Sequence, residues 1–221
     1  MKVAGYLKTS LLDWPGEVSS VIWTQGCNFR CPFCHNRDLI SLTGKKLLDE
    51  GELIKSLIQR KIWITHLVIT GGEPTLQTDL VEFCQKLKKM GFKIKMDTNG
   101  SEPEVVEKLI KMDLVEYWAM DIKTQFDKYQ FGDIKDIKKS MKLIAKSGKD
   151  YEFRTTVVPG MHDEEVVKQM AKEIKNNWIW QKFVGRNCVD PKLDGAEGIT
   201  KKEIEKWRKG VGVKVDLRGW V

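Results

Sequence analysis

The sequence predicts an α/β chain: an open, partial (β/α)6 barrel whose parallel sheet gains added strands from both termini. Three observations predict it. Short β-branched or aromatic runs give way six times to longer stretches with helical spacing, an alternation that forces parallel strands joined by helical crossovers. Six such units fall short of the eight that close a barrel, which leaves the sheet open. The residues of unusual chemistry follow the strands, and in parallel α/β folds the carboxyl ends of strands carry the chemistry.

The elements follow in order. An opening strand over 3–8 precedes the first unit, in which the β-branched run 18–24 leads through a cysteine-rich loop to a helix over 49–61. The apolar runs 66–70 and 93–97 precede helices over 79–90 and 102–112, where apolar residues recur at helical spacing. The fourth and fifth strands, 115–122 and 151–158, precede helices over 134–147 and 163–176. The tryptophan-rich strand 178–184 precedes a helix over 200–209, and a last strand is expected over 211–217. No internal repeat, low-complexity tract or linker interrupts the series, so residues 1–221 are read as a single domain.

Composition sets the class. Of 221 residues, 41% are hydrophobic and 31% charged, the balance of a chain that buries a real core, which excludes a disordered or collagen-like polymer. No apolar run approaches the roughly 18 residues a bilayer span needs, and the opening Met1-Lys2-Val3-Ala4-Gly5-Tyr6 lacks an apolar signal core. A cytoplasmic protein with no membrane association is therefore expected. The net charge of +7 comes mostly from lysines interleaved with acids, the pattern of solvated helix faces. The more basic stretches 86–95 and 138–149 suit an acidic partner, and with few arginines the chain is not read as a nucleic-acid binder.

Five cysteines in a reducing compartment argue against a disulfide framework. Three of them, Cys27, Cys31 and Cys34, have the spacing C-x3-C-x2-C, so one loop can wrap three thiolates round one metal centre, while Cys84 and Cys188 stand alone and read as structural. A fourth cysteine ligand is missing, and for a cubane [4Fe–4S] cluster this leaves one iron open to a chelating substrate. Three other readings compete. Adding His35 gives a Cys3His set suited to zinc, but such sites usually take their ligands from two separated pairs. The string Cys31-Pro32-Phe33-Cys34-His35 matches covalent haem attachment, which requires export, and a thioredoxin-like pair would leave Cys27 without a role.

Further motifs share the rim of the loop. Gly71-Gly72-Glu73-Pro74 offers backbone that a ligand can approach closely and one carboxylate suited to an ammonium group. Asp97-Thr98-Asn99-Gly100 and Asp121-Ile122-Lys123 place two acids on adjacent strand ends, which need a cation or a shared proton; the alternative is a turn cap at Asn99-Gly100 and a plain Asp121–Lys123 pair. Arg154, in an otherwise apolar strand, needs an anion, which a bound carboxylate or a core acid would supply, with a bound ligand favoured. His162 follows Pro159-Gly160 at the same rim and is read as meeting a ligand or as a surface-loop histidine.

Taken in order, the cysteine loop with Phe33 before its last cysteine, Gly-Gly-Glu-Pro, Asp-Thr-Asn-Gly and Asp-x-Lys resemble the radical S-adenosylmethionine superfamily. With Leu12-Asp13-Trp14-Pro15-Gly16, Gln25-Gly26-Cys27 and Cys34-His35-Asn36 added, the chain is similar to the glycyl-radical-enzyme activases, particularly those of anaerobic ribonucleotide reductase. The resemblance implies a [4Fe–4S] cluster on Cys27, Cys31 and Cys34. It implies S-adenosyl-L-methionine held around Gly71, Gly72, Glu73 and Pro74, with Asp97, Thr98, Asn99, Asp121, Lys123, Arg154 and His162 as further contacts. It also implies a monovalent cation on Asp97, Thr98 and Asp121. No side chain is itself assigned as catalytic, because the cluster-bound cofactor carries the chemistry: reductive cleavage to a 5′-deoxyadenosyl radical that removes hydrogen from a glycine of a partner enzyme. Flavodoxin or ferredoxin is the implied reductant. The chain departs from the resemblance at Asp13-Trp14-Pro15-Gly16-Glu17-Val18, where similar activases read Asp-Gly-Pro-Gly-x-Arg, and the alternative is an enzyme acting on a small molecule, as 7-carboxy-7-deazaguanine synthases do.

Overall fold

The computed structural model describes residues 1–43 and 47–220. Eight strands form one sheet in the order of the sequence: β1 (Val3–Ser10), β2 (Ser19–Thr24), β3 (His66–Gly71), β4 (Lys93–Thr98), β5 (Tyr117–Asp121), β6 (Asp150–Val157), β7 (Trp178–Lys182) and β8 (Val215–Arg218). β1 runs antiparallel to β2, and every later pair is parallel. The six crossovers carry α1 (Glu50–Arg60), α2 (Leu80–Lys89), α3 (Pro103–Lys111), α4 (Ile134–Ala145), α5 (Glu164–Met170) and α6 (Lys201–Gly210). Strands laid down strictly in sequence with crossovers of one hand put all helices on one face and leave the other concave. Because β1 and β8 are not paired, the barrel stays open, as the six-unit count predicts.

Local chemistry starts and stops the helices where the sequence changes. Asp49, Asp133 and Asp163 accept hydrogen bonds from the backbone N–H groups of Glu52, Lys135 and Val166, each removing an orphan donor from a first turn. Thr200 and Glu203 make a reciprocal capping box at α6, and Pro103 opens α3 where no N–H is needed. α5 is shorter than the predicted 163–176. After Met170 the bonding tightens to three-residue turns (Lys172 N–H to Gln169 O, Glu173 N–H to Met170 O), so the apolar spacing continues to buried Ile174 while the regular helix does not.

Strand alternation divides the sheet into two unlike faces. Ile22, Leu67, Ile69, Ile94, Met96, Trp118, Phe153 and Trp178 face the helices and make the main core. The concave face holds a small apolar plug of Trp14, Val21 and Val68 at the amino ends of the strands. Above it lie charged residues, including Lys95 on β4, which is only 1% exposed. Among the described residues no helix is long and apolar enough to cross a membrane.

Candidate active site

The cysteine loop is a closed turn at the carboxyl end of β2. Gly26, with φ of +99°, reverses the chain, and its N–H bonds the Leu39 carbonyl at 2.7 Å while the Cys27 N–H bonds that of Ile40 at 3.1 Å. Gln25 ties off the far end through its side-chain amide, which donates to the carbonyls of Asp38 and Ser41. Inside the loop the Cys34 N–H donates to the Cys31 carbonyl, and Arg30 holds the Cys27 carbonyl at 2.8 Å. Phe29 packs tilted and Phe33 edge-on against Phe131, with ring centres 6.3 and 6.4 Å away, which anchors the loop to the segment before α4.

The three thiols face one cavity of about 230 Å³. Burial pushes Cys27 up to about 11 and raises Cys31, so a metal must displace the thiol protons. Among the described residues no three His, Cys, Asp or Glu side chains gather closely enough to hold a single ion. His35 lines the same cavity as the three thiols. Three soft sulfur donors round a cavity, with no fourth cysteine in its lining, fit a [4Fe–4S] cluster with one open iron. Cys84 is buried on α2, and Cys188 is buried outside the cavity lining in a segment that packs on the cysteine loop, where the Asp190 N–H donates to the Pro32 carbonyl at 2.9 Å.

Gly71 and Gly72 press against the cysteine loop itself. A Cβ on Gly72 would stand 2.1 Å from the Gly26 carbonyl oxygen, and one on Gly71 2.3 Å from the Thr24 nitrogen. The glycines therefore let two strand ends pack backbone on backbone, in addition to lining the cavity. Glu73 is 1% exposed and already holds four donors. Its Oε1 accepts from the Thr75 N–H, the Thr75 hydroxyl and the Thr98 hydroxyl, and its Oε2 from the Asn99 N–H at 2.6 Å. Burial raises its pKa against the pull of those donors. The carboxylate thus locks the strand-end turns of β3 and β4 together, a role the sequence did not reveal. Pro74 opens the short turn after it and does not line the cavity.

Asp97, Thr98, Asn99, Asp121, Lys123 and Arg154 all line the cavity, drawn from the ends of β4, β5 and β6. Arg154 lies between the two acids: its Nε donates to Asp121 at 2.8 Å and its Nη1 to Asp97 at 3.1 Å. Lys123 donates to the other Asp121 oxygen at 2.8 Å, and Lys95 to the other Asp97 oxygen. Despite their burial, these cations lower both carboxylate pKa values, led by Arg154 in each case, and the carboxylates in turn raise those of Lys123 and Arg154. Two expectations change. The anions Arg154 needs are core acids, not a ligand alone. The positive charge that Asp97 and Asp121 require is supplied by Lys95, Arg154 and Lys123, so the argument for a monovalent cation on Asp97, Thr98 and Asp121 loses its basis.

His162 is corrected too. It is 3% exposed and lies outside the cavity lining. Its Nδ1 accepts the Val158 N–H at 3.0 Å and its Nε2 donates to the Lys123 carbonyl at 3.0 Å, so both ring nitrogens are engaged within the protein. Burial lowers its pKa to about 4, which keeps the ring neutral. Two participants were missed. Asn28, in the cysteine loop, accepts from Asn99 at 2.9 Å and donates to Ser101, coupling the loop to the β4 end. Lys95 had a readable signal, because it stands two residues before Asp97 and so shares its face of the strand.

The radical SAM superfamily profile matches residues 21–171. A protein of Methanocaldococcus jannaschii named as a glycyl-radical enzyme activating enzyme is 39% identical over 85% of this chain and 82% of its own length. The pyruvate formate-lyase-activating enzyme of Clostridium pasteurianum is 31% identical over 75% of this chain and 73% of its own. In fold, the chain resembles SuiB of Streptococcus suis, solved bound to S-adenosylmethionine, with a TM-score of 0.63 at 16% identity over 89% of this chain and 49% of that one. With its three-thiol loop, glycine-packed rim and family match, the chain belongs to the radical SAM superfamily, whose enzymes use a [4Fe–4S] cluster and S-adenosylmethionine.

Proposed function

We propose that this protein is an activase that generates a radical on a glycine of a partner enzyme. The observation that carries the reading is the 39% identity to the archaeal activating enzyme, which runs along 85% of this chain and 82% of that one. Cys27, Cys31 and Cys34 hold the cluster. When bound, the cluster and S-adenosylmethionine supply a 5′-deoxyadenosyl radical able to remove hydrogen from carbon. The residues of the chain bind, orient and shield. Gly71, Gly72, Asn99 and Glu73, which line the cavity, would hold the amino group of the cofactor. Arg154 offers its Nη2, which has no partner among the described residues, and Lys123 its remaining donors, to the carboxylate. Asp97, Asp121 and Thr98 fix those cations and the strand ends in place, and buried His162 braces the Lys123 carbonyl.

Residues 1–221 are read as one radical SAM domain, which the continuous eight-strand sheet supports. The open side between β1 and β8 suits entry of a polypeptide loop, the shape a glycine donor requires. An acidic flavodoxin or ferredoxin as reductant suits the net charge of +7, no nucleic acid enters the scheme, and free thiols suit a reducing cytoplasm. The decisive experiment mixes the cluster-loaded protein with reductant, S-adenosylmethionine and a candidate glycyl radical enzyme from the same organism. A glycyl doublet in the electron paramagnetic resonance spectrum is expected. Release of 5′-deoxyadenosine with a nucleotide-like heterocycle, and no radical on the protein partner, would instead establish a small-molecule substrate.

A further inference from the structure

Lys95 is a buried lysine that no motif assigns. It sits on β4 opposite Tyr117 of β5, its ammonium 5.8 Å from the centre of the Tyr117 ring, and it bonds the Asp97 carboxylate from below the cavity. Every group expected to hold a monovalent metal ion is thereby engaged. Asp97 has Lys95 on Oδ1 and Arg154 on Oδ2, and Asp121 has Arg154 on Oδ1 and Lys123 on Oδ2. The Thr98 hydroxyl donates to Glu73 and accepts the Gly100 N–H. An entering metal ion would have to displace one of these cations.

The charge balance leads the same way. With Glu152 balanced by Arg218, the cations Lys95, Lys123 and Arg154 face the carboxylates Asp97 and Asp121, which leaves one positive charge to meet one ligand carboxylate with no metal ion added. An ammonium carries the same single charge as an alkali ion, and Lys95 is 1% exposed and tethered to β4 beside Asp97.

We propose that Lys95 stands in for the monovalent metal ion, so that this chain binds S-adenosylmethionine without sodium or potassium. The proposal rests on the reading that the cavity receives the methionine end of that cofactor. The test is the Kd of S-adenosylmethionine on cluster-loaded protein, by equilibrium dialysis in potassium, sodium and choline chloride at matched ionic strength. The wild type should bind within about twofold in all three. Lys95→Met should bind at least about tenfold more weakly in choline and recover when potassium or sodium occupies the vacated position.

Wild-type affinity that rises more than about fivefold with potassium or sodium would overturn the proposal. So would a Lys95→Met protein that binds like the wild type in choline, or one equally weak in every salt, which would make Lys95 merely structural. Should that variant fail to load its cluster, the wild-type salt comparison decides alone. Absence of binding in every salt by fully loaded wild type would refute the cofactor reading of the cavity, and the proposal with it, whereas salt-dependent binding refutes only the role of Lys95.

Discussion

Gly72 stands against the carbonyl of Gly26, so close that a methyl group placed on it would lie 2.1 Å from the oxygen. The contact ties the β3 end to the first residue of the cysteine loop, and the Glu73 N–H bonds the same carbonyl at 2.8 Å. Since the neighbour is backbone, it cannot rotate away. Gly72→Ala should cost about 3 kcal/mol and displace the loop. Iron content after anaerobic reconstitution should fall with thermal stability; an alanine variant that loads iron like the wild type would contradict this packing.

The cysteines divide by position. Cys27→Ser, Cys31→Ser and Cys34→Ser should each abolish stable iron and sulfide incorporation, because the cavity has no other thiol in its lining. Cys84→Ser, on the buried face of α2, and Cys188→Ser should keep the cluster while losing some stability from the burial of a hydroxyl. Iron and sulfide analysis of the five variants gives the answer, and a Cys188 variant without sulfide would add that residue to the ligand set.

His162 makes stability depend on pH. Its pKa is about 4 in the folded protein against about 6.5 unfolded, so below 6.5 the unfolded state binds a proton that the folded state does not. Its contribution is complete above pH 6.5 and is lost progressively down to pH 4, up to about 3 kcal/mol in total. Urea unfolding of the metal-free chain at pH 7 and pH 5 should show a larger loss for wild type than for His162→Gln. Equal losses would mean that the ring is not held neutral.

Trp14 closes the opposite end of the barrel. Its ring meets His66 edge-on, with centres 4.8 Å apart, and Tyr117 at 6.1 Å, over Val21 and Val68. Trp14→Ala should cost about 3–5 kcal/mol while leaving the S-adenosylmethionine affinity of the folded protein unchanged. The departure from the activase pattern at Asp13-Trp14-Pro15-Gly16 thus falls in a structural plug at the amino ends of the strands, away from the cysteine loop. A large loss of affinity in a folded Trp14→Ala protein would link that end to the site.

Much of this was legible because it is local. The 2-to-3.6 change of period marks each β/α unit whatever its neighbours, and C-x3-C-x2-C is a ligand loop complete within eight residues. The rest depends on what non-adjacent strands bring together. Arg154 on β6 reaches past β5 to Asp97 on β4, and no spacing within one segment records that reach, so the sequence offers a core acid as partner without naming Asp97. Glu73 reads only as a ligand carboxylate, because no single segment records that it also ties Thr75, Thr98 and Asn99 together. His162 reads as a rim residue because nothing in the sequence says that the Lys123 carbonyl lies 3.0 Å from its ring.

The central claim is that three thiolates hold a cluster whose open iron takes S-adenosylmethionine. Its most direct test is the electron paramagnetic resonance spectrum of the reduced, reconstituted protein before and after the cofactor is added. The signal should change shape on addition, with methionine and 5′-deoxyadenosine appearing as reduction proceeds. A fully loaded and reduced cluster whose spectrum is indifferent to the cofactor, with neither product formed, would contradict the account.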